Sequence, residues 1–220
     1  MTSRQPFTLP FRRSRAGTTE PRFDPTSWTG ALLVIGALAV ALYVVQYLNA
    51  ADDYGWNRFG LRPRAVDGLW GVLTQPFLHT SWSHLLANTV PLLGIGWVLL
   101  LSGVRVFLFV TACVVVLGDL LTWLVAPSGQ IIVGASAMVF GWLGYLLARA
   151  FFSRRLKWIA VAVLLLIFFS TLLGGLLPSS DSNVSWQSHL CGAVVGVAVA
   201  WVLHPRAGTT GRPARPAPVR

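Results

Sequence analysis

A serine and a histidine lie inside long apolar runs, where polar side chains are costly and therefore informative. Ser136 is near the start of one run and His189 near the start of another. A serine hydroxyl beside an imidazole is suited to acyl transfer, because the ring can take the hydroxyl proton and return it to a leaving amine. No carboxylate has an obvious position from which to orient His189. We therefore predict a Ser136/His189 dyad without an acidic third member.

Two further polar residues fit the same chemistry. His84 and Asn88 are four residues apart, so they share one face of a helix. Gly134 and its neighbours are small and allow a substrate backbone to approach Ser136 closely. The predicted helix N-terminus at Ser136 supplies free N–H groups and partial positive charge for a developing oxyanion. His84 and Asn88 can donate further hydrogen bonds there, so we predict them at the oxyanion site.

The composition indicates that lipid surrounds these residues. The chain is 55% hydrophobic and 11% charged, whereas soluble domains carry about 25% charged residues. The net charge of +10 does not indicate nucleic-acid binding, because the basic residues lie at the ends of apolar runs and form no basic stripe. Cys113 and Cys191 lie within apolar runs and are interpreted as small buried residues. We expect no disulfide, no metal and no cofactor.

The apolar runs predict an all-α, polytopic membrane protein with six transmembrane helices. No secretory signal peptide is predicted, because the first run is too long and no cleavage site follows it. Residues 1–27 are interpreted as a basic disordered arm, 28–204 as the membrane domain and 205–220 as a disordered tail rich in Pro and Arg. The six helices are expected near residues 29–48, 83–101, 105–126, 135–152, 157–177 and 186–203, with an interfacial segment before the second.

The basic residues predict the orientation, since cytoplasmic segments are enriched in Lys and Arg. With the N-terminus inside, 14 of the 17 basic residues fall on the inner side. The other three, Arg58, Arg62 and Arg64, lie in the first outer loop. The sequence thus predicts a multi-pass protein of the cell membrane with both termini cytoplasmic. In this topology the second, fourth and sixth helices all start outside, so their polar residues converge in the outer third of the membrane.

Stripes of small residues predict which helices touch. On the sixth helix Gly192, Gly196 and Ala200 follow His189 in line. The fourth helix carries a matching stripe, formed by Ala137, Gly141, Gly144 and Ala148. Small residues let transmembrane helices approach closely. Close approach of these two helices would bring the Ser136 hydroxyl to the His189 ring.

Taken together, the constellation resembles the rhomboid intramembrane serine proteases. Three motifs carry the resemblance over residues 28–204: His79 with His84 and Asn88 on the second helix, Gly134-x-Ser136 on the fourth, and His189 followed by glycines at 192 and 196 on the sixth. The resemblance implies a six-helix rhomboid-like bundle and transmembrane proteins as substrates.

For the site, the resemblance implies Ser136 as nucleophile and His189 as base, with His84 and Asn88 at the oxyanion. His79, Gly134 and Gly192 support the site, and His79 has no chemical step of its own. Two positions depart from the family pattern. Ala137 follows the nucleophile where Gly is frequent, and Phe140 replaces a Tyr that packs on the histidine, so the ring is kept and its hydroxyl is lost.

Other functions stay open at this point. A catalytically silent rhomboid-like protein would bind transmembrane clients, although loss of Ser136 or His189 would be its expected mark. A small transporter would favour midplane polar groups and internal repeats, and the sequence has neither. Taken alone, Ser136 is a packing or capping serine and His189 a helix-bonding histidine. Asp119 matches no family catalytic position and stays outside the predicted site.

Overall fold

Six long apolar helices dominate the computed structural model, which describes residues 27–178 and 185–204. The predicted all-α bundle with six membrane spans is confirmed. The predicted tail, and the predicted arm apart from Ser27, lie outside the described residues. The helices are α1 (Trp28–Ala51), α2 (Trp82–Leu100), α3 (Val104–Val125), α4 (Ser136–Ser153), α5 (Leu156–Leu176) and α6 (Trp186–Leu203).

Local signals set several helix ends. Ser27 and Ser81 cap α1 and α2, each accepting a hydrogen bond from a backbone N–H three residues on, at 3.1 Å in both cases. Gly103, with φ of 110°, makes the tight connection from α2 to α3. Arg154, in the left-handed conformation with φ of 52°, ends α4. The first backbone N–H groups of α4, like those of any α-helix, have no acceptor within the helix, and no side chain caps this end.

α4 lies at the centre of the bundle and α5 at its edge. Over an 18-residue membrane-spanning stretch of each helix, 67% of the residues are buried inside the protein in α4 and 11% in α5. Trp158, Ala162 and Leu165 are the buried apolar residues of α5. Val161, Phe169 and Leu172 are partly buried against the core, and most other apolar side chains of α5 are exposed, as expected for a helix that contacts lipid along most of its surface.

The stripes of small residues on α4 and α6 face each other. A Cβ atom on Gly192 would overlap the carbonyl oxygen of Ala137, and one on Gly196 would overlap the carbonyl oxygen of Gly141. From the other side, a Cβ on Gly144 would lie 2.6 Å from the carbonyl oxygen of Ala193. The two backbones are therefore in direct contact, which no larger side chain would permit.

α3 is not a continuous α-helix. It is α-helical over Val104–Cys113, forms a π-helical turn over Val114–Gly118, and is α-helical again over Asp119–Val125. The π-helical turn packs against both stripes: the Val114 side chain fills the space beside Gly141, and a Cβ on Gly118 would lie 3.3 Å from the Cα of Gly192. The irregular turn thus lets α3 fit closely against α4 and α6.

The connection from α1 to α2 and the connection from α3 to α4 are joined by backbone hydrogen bonds at the end of the bundle where α4 begins. Short helical turns occupy Gly55–Phe59, Val66–Gly68, Gly71–Thr74 and Gln75–Phe77. Leu61 and Ile132 form an antiparallel bridge, with N–H···O distances of 2.9 and 2.8 Å. This bridge holds the segment that leads into Ser136.

Replacing Gly196 by alanine tests the contact between α4 and α6. We expect Gly196→Ala to lower the free energy of unfolding by about 1–3 kcal/mol, because its Cβ would press on the Gly141 carbonyl. Gly36→Ala in α1 is the matched control, since a Cβ there meets nothing within 4 Å. The control should be neutral or stabilising by up to about 1 kcal/mol, owing to helix propensity. Unfolding in mixed micelles measures both, and equal stability of the two variants would contradict the packing.

Candidate active site

Ser136 and His189 meet where α4 and α6 begin. Ser136 is the first residue of α4, and His189 lies in the first turn of α6. The Oγ of Ser136 is 2.8 Å from the Nε2 of His189, a hydrogen-bonding distance. The contact lies at the same end of the bundle as the Gly192–Ala137 backbone contact, so the close approach of the helices brings the two side chains together.

Two groups hold the imidazole of His189 from other sides. The Phe140 ring stacks on it, with centroids 4.3 Å apart and planes 17° from parallel. The Nδ1 atom lies 2.9 Å from the carbonyl oxygen of Gly175 in α5. Because a carbonyl oxygen only accepts hydrogen bonds, Nδ1 carries the donated proton. In the neutral ring Nε2 therefore keeps a lone pair directed at the Ser136 hydroxyl.

These residues open onto a cavity of about 330 Å³. Its polar lining includes Gln75, Thr80, His84, Asn88, Ser136 and His189. Among the described residues that line it, none carries a carboxylate. Asp119 is 1% exposed and lies in α3; it does not line the cavity, although its side chain is close to that of Gln75, which does. Ala137, 4% exposed, is also absent from the lining, so its methyl group does not narrow the cavity.

His84 and Asn88 line the same cavity from α2. The Nδ2 of Asn88 donates one hydrogen bond to the carbonyl of His84 at 3.0 Å, which leaves its second hydrogen free to donate elsewhere. The Nδ1 of His84 lies 3.2 Å from the Oγ1 of Thr80. The opposite edge of the His84 ring faces Gly134, whose φ is +125° and where a Cβ would lie 2.9 Å from that ring. Both conditions require glycine at position 134.

His79 holds the loop before Ser136 and does not line the cavity. It is fully buried, and its Nε2 accepts from the N–H of Ala135 at 3.4 Å. The His79 carbonyl in turn accepts from the side-chain amides of Asn49 and Asn57, at 3.4 and 3.3 Å. Burial, reinforced by the nearby His84, lowers the pKa of His79 to about 3. The ring therefore stays neutral and keeps its acceptor at ordinary pH.

Sequence reasoning missed two contributors to this site. The carbonyl of Gln75 accepts from the N–H of Gly134 at 2.9 Å, which fixes the loop at the residue before the one that His79 holds. The carbonyl of Gly175 contacts His189 as described above. Both act through the main chain, which every residue shares. The pair of glycines at 174 and 175, just before Pro178, was the one available signal for an unusual end to α5.

Comparison with known proteins places the chain in a family. A family model of the rhomboid domain matches residues 66–206. The chain belongs to the rhomboid family. An uncharacterised protein of Mycobacterium tuberculosis is 37% identical over 203 residues, covering 89% of this chain and 84% of that protein. The rhomboid protease GluP of Bacillus subtilis is 29% identical over 147 residues, covering 65% of this chain and 28% of GluP.

The rhomboid resemblance predicted from the three motifs is thus confirmed. A second Bacillus subtilis relative, the putative rhomboid protease YdcA, is 26% identical over 136 residues, covering 60% of this chain and 66% of YdcA. Family membership and six apolar helices make this chain a multi-pass membrane protein of a family that includes proteases. Within the described residues, no cluster of three or more His, Cys, Asp or Glu could hold a metal ion.

The buried neutral His79 should make stability depend on pH. In the unfolded chain a histidine has a pKa near 6.5, whereas folded His79 takes a proton only near pH 3. Between these values the unfolded state binds more protons, so stability falls as the pH is lowered through this window. His79→Gln keeps an acceptor and does not titrate. We expect its stability to fall less steeply between pH 6.5 and 4, by up to about 1.4 kcal/mol per pH unit.

The measurement is denaturant unfolding of the wild-type protein and His79→Gln at several pH values in the same micelles. Parallel curves for the two proteins would contradict a buried neutral His79. His79→Leu, which lacks the acceptor for the Ala135 N–H, should be less stable than His79→Gln at every pH.

Proposed function

We propose that this rhomboid protein is an intramembrane serine endopeptidase that cuts transmembrane segments of other membrane proteins near the outer face. The observation that carries the proposal is the 2.8 Å contact between Ser136 Oγ and His189 Nε2 beside a polar cavity. A serine that only caps or packs a helix would not require an imidazole beside it that is fixed by both a ring stack and a hydrogen bond to a carbonyl. That arrangement suits proton transfer in acyl chemistry.

In the first step, His189 Nε2 takes the Ser136 hydroxyl proton as Oγ attacks the carbonyl carbon of the scissile peptide bond. The carbonyl π electrons move to oxygen and form an oxyanion. When the tetrahedral intermediate collapses, the C–N bond breaks and the imidazolium returns the proton to the leaving amine. The product is an acyl ester on Ser136.

The oxyanion needs hydrogen-bond donors, and three groups are suited to the role. The backbone N–H of Ser136 lies at the uncapped start of α4, where the helix dipole favours negative charge. The second amide hydrogen of Asn88 and the ring of His84 border the same cavity. Gly134 lets the His84 ring approach this position, because any side chain there would meet it.

In the second step, water enters the cavity and attacks the acyl ester. His189 takes a proton from the water and gives it to Ser136 Oγ, which restores the hydroxyl and releases the new carboxyl terminus. Water is scarce in the hydrocarbon core, and a helical substrate hides its carbonyls in internal hydrogen bonds. A site at the ends of three spans eases both problems, because water is near and a helix end unwinds readily.

Cleavage of reporter spans by the purified protein in lipid vesicles tests the activity. We expect cutting by the wild-type protein and a loss of at least ~1000-fold in Ser136→Ala. A Gly-Ala pair near the outer end of the reporter should raise the rate up to about tenfold over the same pair near the inner end, because it weakens the helix where the site lies.

Two outcomes of this experiment would contradict the proposal. Equal cutting of both reporters would contradict the placement of the site near the outer face. Binding of the reporters without cutting by any preparation would favour the silent, client-binding alternative and make Ala137 the first position to test, with Ala137→Gly.

We also propose that the protein resides in the cell membrane with both termini cytoplasmic. Arg58, Arg62 and Arg64 lie on the site side of the bundle, whereas the basic cluster at residues 149–157 lies at the opposite end. The excess of basic residues at that opposite end, and in both terminal segments, favours it as the inner side.

Labelling intact cells with a membrane-impermeant maleimide tests the orientation. A cysteine added after Arg220 should react only after permeabilisation. Val66→Cys, at a position that is 76% exposed on the site side, should react at once. Immediate labelling of the C-terminal cysteine would reverse the proposed topology.

A further inference from the structure

The main-chain carbonyl of Gly175 stands where a third member of the Ser136/His189 pair would stand. It meets Nδ1 of His189 at 2.9 Å, while Nε2 meets Ser136 Oγ at 2.8 Å. We propose that Gly175 is a positioning residue whose carbonyl fixes the tautomer and rotation of His189, as a carboxylate does in Ser/His/Asp triads. This inference rests on the proposed function, since it names the group that prepares His189 to act as base.

The carbonyl supplies a restraint that the ring stack cannot supply. Stacking of Phe140 on His189 at 4.3 Å fixes the plane of the imidazole. A 180° rotation of the ring about its Cβ–Cγ bond keeps the stack, but it would exchange Nε2 with Cε1 and so take Nε2 away from the hydroxyl. The hydrogen bond from Nδ1 to Gly175 stops this rotation and keeps the proton on Nδ1. The two restraints together leave Nε2 unprotonated and aimed at Ser136.

A carbonyl is also well suited to this position near lipid. A buried carboxylate would have to be desolvated, which is expensive inside a membrane protein unless it is paired. A carbonyl oxygen carries partial negative charge without that cost. It can stabilise the imidazolium that forms during proton transfer, although less strongly than a full charge would.

Glycine is required at position 175 by the space around it. A Cβ atom there would lie 3.0 Å from both His189 Nδ1 and the Cζ of Phe140, which is closer than ordinary contact. A side chain at position 175 would therefore push against the rings of His189 and Phe140 and displace the imidazole. The preceding Gly174 has open space, with nothing within 4 Å of a Cβ. The two adjacent glycines thus differ sharply, and only the second contacts the site.

The element that carries Gly175 explains how its carbonyl reaches His189. α5 is α-helical to Phe169 and then tightens into a 3₁₀ segment over Ser170–Leu176. Phe169 packs on α2, where a Cβ on Gly94 would lie 2.7 Å from the Phe169 ring. This contact anchors the point at which the helix changes type, and the 3₁₀ segment then runs to the cavity. The orientation of His189 therefore depends on the span that is least buried in the bundle.

Nitrogen NMR of the wild-type protein labelled with ¹⁵N-histidine tests the inference directly. The His189 signals are assigned by their loss in His189→Gln. At neutral pH we expect Nδ1 to be protonated and Nε2 to be unprotonated. The opposite tautomer would overturn the proposal. This measurement needs no substrate, so it decides the role of Gly175 even if no reporter is ever cut, an outcome that would count against the proposed function alone.

Kinetics of Gly175→Ala and of its matched control, Gly174→Ala, supply the second test. We expect Gly175→Ala to lower kcat by roughly 10- to 100-fold, less than the full contribution of a general base because His189 itself remains, with little change in KM. It should also lose the Nδ1-protonated preference. Gly174→Ala should match the wild-type protein in kcat, KM and tautomer. Equal losses in both variants, or full activity in Gly175→Ala, would overturn the proposal.

Discussion

Direct contact between the backbones of α4 and α6 is the constraint on which the rest of the structure depends. Gly192 and Gly196 leave no room for a Cβ beside carbonyl oxygens of α4, so these helices approach more closely than helices separated by side chains. Ser136 and His189 stand at the first turns of the same two helices. A lateral displacement of about 1 Å at this contact would break the hydrogen bond between them, since its length leaves little tolerance.

The site is built largely from groups that carry no net charge. Main-chain carbonyls of Gln75 and Gly175 and the neutral ring of His79 hold the loop and the histidine in place. Among the described lining residues no carboxylate takes part. Uncharged groups suit a site inside a membrane protein, because each buried charge there needs an opposite charge or water beside it. Neutral hydrogen bonds give orientation at lower desolvation cost, and they are already formed before a substrate arrives.

Much of this arrangement was predictable from the sequence, and the reasons differ from part to part. Hydropathy predicted six spans because lipid demands long apolar helices, and α6 begins and ends where it was predicted. Ser136 and His189 were candidates because polar side chains are costly inside apolar runs and therefore indicate a function. The contribution of Gly175 was not predictable, because every residue has a main-chain carbonyl and the residue type does not show which carbonyl will contact a side chain. The π-helical turn was also missed, since hydropathy reports the length of a span and not its hydrogen-bond pattern.

That π-helical turn has a consequence for how the chain can change through insertion and deletion. A π-helical turn accommodates one more residue than the α-helix it interrupts. Losing one codon among those for Val114–Gly118 would remove that extra residue and leave a regular α-helix, in which the later residues of α3 keep close to their present orientation. A deletion within the α-helical part Val104–Cys113 would instead turn all later residues by about 100° and shift them by about 1.5 Å, and Asp119, now 1% exposed, would leave its buried surroundings. Single-residue deletions in the π-helical turn should therefore be tolerated better than deletions in the regular turns of α3.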